Sequence, residues 1–121
     1  MESTGKRYTV RRLPDLEKEV SRCGTRQRFF SQGDDTPAFI HQVHIQGSRA
    51  HYHKRAVEFY YVLEGSGIMT VDGETFPLEP GVMVKLDPGA VHSSKGDHRV
   101  LVIGIPDIAE DDIFFPGEET R

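Results

Sequence analysis

The stretch His51-Tyr52-His53-Lys54-Arg55-Ala56-Val57-Glu58-Phe59-Tyr60-Tyr61-Val62-Leu63-Glu64-Gly65 carries more chemistry than any other part of this 121-residue chain. Residues two apart on a strand project from one face, so His51 and His53 can both reach a single ion. A polar, turn-like Lys54-Arg55 follows, and Glu58 then begins an apolar strand on which Glu58, Tyr60 and Val62 share a face. If Val62 points into a barrel, it takes Glu58 inside with it. A buried carboxylate is costly unless it is paired or bound to a cation. The histidine pair alone leaves an ordinary exposed strand open as the alternative.

Outward from this stretch the pattern has mostly period two or short apolar runs: Ala38–Ile45, Glu58–Leu63, Ile68–Val71, Glu74–Leu78, Val82–Leu86 and Arg99–Ile105. Asp72-Gly73 reads as a two-residue hairpin turn and Pro88-Gly89 as a type II turn, with His92 opening another strand just beyond. Upstream, Tyr8–Leu13 and Thr25–Phe30 read as two further strands, with one short helix over Pro14–Arg22 between them. Twelve glycines and seven prolines punctuate the chain too often for long helices. Many short strands without a long amphipathic helix indicate an all-β sandwich or barrel. The length suits one domain, with the barrel over about residues 7–106.

Composition narrows the function classes. A formal charge of −4 offers no global attraction for nucleic acid or an anionic membrane, so neither is expected as a partner. No apolar run reaches the roughly 20 residues of a membrane span, and the start lacks the apolar stretch of a secretory signal. The lone Cys23 cannot form an internal disulfide, and a cytoplasmic location is the expectation. Charge is unevenly distributed: residues 1–28 carry eight basic and four acidic side chains, and residues 107–121 six acidic and one basic. The acidic tail also contains Ile113, Phe114 and Phe115, which are expected to dock on the barrel or on a second subunit.

Two linked motifs then resemble those of the cupins. His51-x-His53-x4-Glu58-x6-Gly65 is similar to the first cupin motif, and Gly81-x5-Asp87-Pro88-Gly89-x2-His92 to the second, with 15 residues between them. The chain departs from the usual pattern at Ile45, Asp87 and Gly96, none of them a ligand position. The resemblance implies a double-stranded β-helix, or jelly-roll, barrel that binds one divalent metal through His51, His53, Glu58 and His92. Three imidazoles and a carboxylate suit Fe, Mn, Ni, Zn or Cu and are unlike a thiolate structural zinc site.

Cupins include dioxygenases, isomerases, cyclases, decarboxylases and non-catalytic binders, so ligands and fold do not name the reaction. The favoured expectation is a metal-dependent enzyme, dioxygenase-like, acting on a small oxygen-bearing metabolite. A metal-dependent isomerase or cyclase, or a small-molecule binder without catalysis, is the alternative. Tyr60 is the candidate catalytic residue beside the ligands, with a core aromatic as its plain reading. His41, which shares a face with Phe39, Val43 and Ile45, is a candidate pocket donor, with a wall histidine as its plain reading. Ser94 can orient a ligand, Arg26 or Arg28 can clamp a carboxylate, and His98, beside Asp97 in a turn-like stretch, is expected on the surface. A homodimer is expected, since cupins often pair.

Overall fold

The computed structural model describes residues 5–21, 23–106 and 112–118. Its strands are β1 Glu19–Ser21, β2 Gly24–Phe30, β3 Phe39–Gly47, β4 Val57–Gly65, β5 Gly67–Val71, β6 Glu74–Leu78, β7 Met83–Leu86 and β8 His92–Ile105. All pairings are antiparallel, in the order β1-β2-β3-β8-β4-β7, with the β5–β6 hairpin joined to β8 through β5. The architecture is the jelly-roll barrel expected from the two motifs.

β8 closes the barrel. Its first residues, His92 to Lys95, pair with β5, and its later ones, from His98 to Ile105, pair with β4. β3 runs along its other side from Lys95 to Gly104. Register then decides what faces inward: Val43, Val100 and Val62 lie across from one another in one row, and His41, Val102, Tyr60 and Val84 in the next. Phe39, Gly104, Glu58 and Leu86 form a third row. The core comprises Val43, Ile45, Tyr60, Val62, Met69, Leu78, Leu86, Val100 and Val102. Glu58 is thus carried inside by the same alternation that buries Val62.

Both turns take the geometry their residues favour. Asp72 and Gly73 have φ of 49° and 85°, the two left-handed residues of a type I′ hairpin. Gly89 has φ of 90°, and the Ala90 amide donates to the Asp87 carbonyl at 3.1 Å, which closes the turn around Pro88-Gly89.

Three local expectations are corrected. Tyr8–Leu13 is not a strand: the neighbour paired with β2 at Gly24–Arg26 is β1, and this segment joins no ladder. It is held by side chains instead, with Gln27 Nε2 donating to the carbonyls of Leu13 and Leu16, and Arg11 reaching Phe29 O and Asp34. The helix over Pro14–Arg22 shrinks to a 3-10 turn, Leu13–Asp15, because Glu19 is drawn into β1, where it pairs with Arg26 and Arg28. Arg22 lies outside the described residues.

The third correction concerns the polar run after His92. It does not separate two strands. β8 passes through it as one strand of 14 residues, bending at Gly96 (φ 100°), because β3, β5 and β4 supply partners along its length. His98 consequently falls on the inner face and is 1% exposed, not on the surface.

Candidate metal centre

Four side chains from three segments converge at one end of the barrel. Glu58 comes from the start of β4, His92 from the start of β8, and His51 and His53 from the extended segment that precedes β4. That segment is tied to β8 by an isolated bridge, with His51 N donating to His92 O at 3.1 Å and His92 N to His51 O at 2.9 Å. The second turn docks on the first motif as well, since the Gly89 amide donates to the His53 carbonyl at 2.7 Å. The two motifs are therefore physically joined before any side chain is considered.

Candidate ligand nitrogens of His51, His53 and His92 all lie within 4.8 Å of one another, a spacing that lets one cation reach all three. Each ring has its Nδ1 against a backbone carbonyl: His51 on Arg49 at 2.7 Å, His53 on Asp112 at 2.7 Å and His92 on Ala90 at 3.0 Å. A carbonyl can only accept, so each Nδ1 carries the hydrogen. In its neutral form each ring then presents a lone pair at Nε2. Glu58 Oε1 lies 2.9 Å from His53 Nε2 and 3.6 Å from His92 Nε2. Those three atoms are buried and make no aligned hydrogen bond.

The donor set thus fits a divalent metal. Imidazole and carboxylate donors are already desolvated, so a cation would satisfy buried polar atoms that otherwise have only the Glu58–His53 ion pair and the longer approach of His92. Electrostatics agree. Burial would push the Glu58 carboxyl up, yet His53, together with His92 and His51, holds it below its usual value. Burial would likewise lower His53, but Glu58 keeps it raised. His92 is pushed down to about 4 by burial and by the neighbouring His51. Its ring is therefore neutral at physiological pH, as metal ligation requires.

Tyr60 and His41 are on the inner face but differ in setting. Tyr60 is buried in the core with its ring 6.0 Å from that of His92, and burial raises its phenol well above the ordinary value. His41 is half-buried, packed against Phe39 at 4.8 Å and two strands from Tyr60 in the same row. Ser94 is buried and bonded to Ser48, its amide donating to Ser48 Oγ at 2.9 Å. Arg26 and Arg28 both engage Glu19.

What the residue pattern did not reveal is the role of Asp112 within the docked segment 112–118. Phe114 exchanges both backbone hydrogen bonds with Tyr52 at 2.9 Å, and the Asp112 carboxylate caps the amides after His53. Apolar Phe114 and Phe115 are a visible sign of docking, whereas nothing in the acidic run distinguishes Asp112 from Asp111.

Comparison with known proteins agrees with this fold. Polyketide synthase CurC of Streptomyces cyaneus is 38% identical over 55 residues, covering 44% of this chain and 36% of that protein. Quercetin 2,3-dioxygenase of Bacillus subtilis (strain 168) is 36% identical over 56 residues, covering 46% of this chain and 17% of that one. The chain therefore spans about a third or less of the length of these relatives. In fold, a solved structure of a protein from Planctomyces limnophilus matches at TM-score 0.86 and 24% identity, covering 93% of this chain and all of that one. The cupin domain family model matches residues 41–104, just over half of the sequence. That span runs from β3 through both motifs to the end of β8, and the chain belongs to the cupin family.

Proposed function

We propose that this cupin holds one divalent transition metal through His51, His53, Glu58 and His92 and uses it to act on a small oxygen-bearing metabolite by dioxygenase-like chemistry. The observation that carries the reading is the convergence of buried Nε2 and Oε1 atoms without aligned hydrogen bonds. Local similarity to quercetin 2,3-dioxygenase, 36% identical over 56 residues, supports the oxidative choice. A redox-active metal bound there supplies Lewis acidity toward a chelating oxygen and a site for dioxygen.

The chain's own residues supply the surroundings. Leu86 lies opposite Glu58 and Val84 opposite Tyr60, so apolar side chains exclude water from the rows beside the ligands. Tyr60, its phenol raised by burial, stays protonated and would act only as a donor. His41 would meet the ligand from the far wall, beside the Phe39 ring.

The second reading is a binder without turnover, or an isomerase or cyclase. The depth of Tyr60 favours the binder: it leaves few groups besides the metal ligands to move a proton. The deciding experiment is dioxygen uptake by Fe²⁺-loaded protein across enols, catechols and keto acids. Uptake with product formation supports the dioxygenase. Thermal stabilisation by a ligand without turnover supports the binder.

The expected homodimer draws support from the outer face of β4 and β7, where exposed Tyr61 and Met83 are cross-strand partners beside exposed Leu63. Sedimentation of Met83→Glu against the parent at micromolar concentration tests it, with a lighter species expected for the variant. No helix among the described residues is long and apolar enough to cross a membrane. The cytoplasm remains the proposed location, on the lone cysteine.

A further inference from the structure

Two of the three imidazoles are oriented from within their own segments. The carbonyl two residues upstream accepts the Nδ1 hydrogen, Arg49 for His51 and Ala90 for His92. For His53 the equivalent carbonyl is that of His51, which already accepts the His92 amide at 2.9 Å. His53 Nδ1 instead donates to the backbone carbonyl of Asp112, 2.7 Å away and 59 residues further along the chain.

The carboxylate of the same residue does a second job. It is 2% exposed and accepts the amides of Lys54, Arg55 and Ala56 at 3.1, 3.2 and 3.1 Å. Those three residues carry the chain from His53 toward Glu58. One residue thus sets both the rotation of the His53 ring and the path between two candidate ligands. Residues around it are anchored in turn: the Phe114 ring stacks on Tyr52 at 5.7 Å under the Lys54 ammonium at 4.1 Å. The Arg49 guanidinium lies 3.9 Å over Phe115 and also pairs with Glu118.

From this geometry we infer that Asp112 is a positioning residue of the metal centre, and that residues 112–118 form a strap whose docking is coupled to metal binding. The inference rests on the metal-binding reading above. Without the carboxylate anchor, the Asp112 carbonyl drifts from His53 Nδ1, the ring rotates, and its Nε2 lone pair leaves the common point. Partners of this kind fix ring orientation and raise ligand basicity, and their loss costs about 10–100-fold in metal affinity.

The test uses the full chain, stripped with chelator and titrated with Co²⁺. Asp112→Ala is expected to bind Co²⁺ about 10–100-fold more weakly than the parent and to show altered ligand-field absorption. Asp112→Asn, which keeps one acceptor oxygen, should fall between them. Coupling is reciprocal, so Co²⁺ bound to the unaltered chain should slow amide exchange at Lys54, Arg55, Ala56 and Phe114. Exchange in the unaltered chain decides the matter by itself if Asp112→Ala does not fold. Parental Co²⁺ affinity and spectrum in Asp112→Ala, or unchanged exchange at Phe114, would overturn the strap while leaving the metal centre standing. Failure of the unaltered chain to bind Co²⁺ would overturn both.

Discussion

Glu58 Oε1 and His53 Nε2 stand 2.9 Å apart with neither atom exposed to water. Each group alone would be neutralised by its burial, yet together the carboxyl is held down and the imidazole is held up. In the metal-free protein they stabilise each other as a pair. A cation at the centre would take over the role of the His53 proton.

Removing one member of that pair should be worse than removing both. His53→Ala strands a buried carboxylate, and we expect it to destabilise chelator-treated protein by about 3–5 kcal/mol. The double variant His53→Ala with Glu58→Gln should recover part of that loss. Urea unfolding of the four proteins gives the coupling directly. Simple additivity would contradict the pairing.

Metal binding should appear as stability. At a free metal concentration of about 100 times Kd, the folded state gains about 2.7 kcal/mol, which for a chain of this size is a rise in Tm on the order of 10 °C. His92→Ala should abolish most of that rise, and elemental analysis of the purified variant should find little metal. Full occupancy in that variant would remove His92 from the ligand set.

Gly65, the closing glycine of the first motif, should tolerate no side chain. Its φ is 82°, and a Cβ there would lie 2.3 Å from the Asp97 carbonyl oxygen and 2.7 Å from His98 Cα, both backbone atoms that have little freedom to give way. Gly65→Ala combines left-handed strain with a backbone clash, so a loss well above about 1 kcal/mol is expected. Thermal or urea unfolding measures it. Gly73→Ala provides the contrast, because its φ of 85° carries strain but nothing lies within 4 Å of a Cβ there.

His98 should contribute to acid sensitivity. Burial lowers its pKa below the ordinary 6.5, and its hydrogen bond to the Gly96 carbonyl offsets only part of that effect. The unfolded chain therefore binds the proton more readily, and stability falls as pH drops from about 6.5 toward the folded value. His92 adds to the same trend, with its folded pKa near 4. His98→Leu should flatten part of the stability-against-pH curve below about pH 6.5 without abolishing it. An unchanged slope would show that His98 is as exposed in the folded chain as in the unfolded one.

Strand and turn assignments were legible wherever local chemistry is decisive. Asp72-Gly73 and Pro88-Gly89 take the backbone angles their residues favour, and the alternation of Glu58, Tyr60 and Val62 correctly anticipates a carboxylate carried inside. Tyr8–Leu13 shows where such reading stops. Its pattern suits a strand, but a strand needs a backbone ladder, and this segment is held through the side chains of Arg11 and Gln27 instead. His98 departs from its expected surface place for a related reason: Ser93-Ser94-Lys95-Gly96-Asp97 has the composition of a turn, but β5 pairs Ser93 to Lys95, β3 pairs Lys95, and β3 and β4 both pair His98.

The amino-acid sequence by itself determined the family and the four candidate ligands, because motif spacing is a local property and strand periodicity converts it into facing. Only the tertiary structure decided how those ligands are held. The carbonyl that orients His53 belongs to Asp112, 59 residues away. A hydrogen bond across that separation depends on where the chain returns, and no local pattern marks which of several acidic residues meets the amides of Lys54, Arg55 and Ala56.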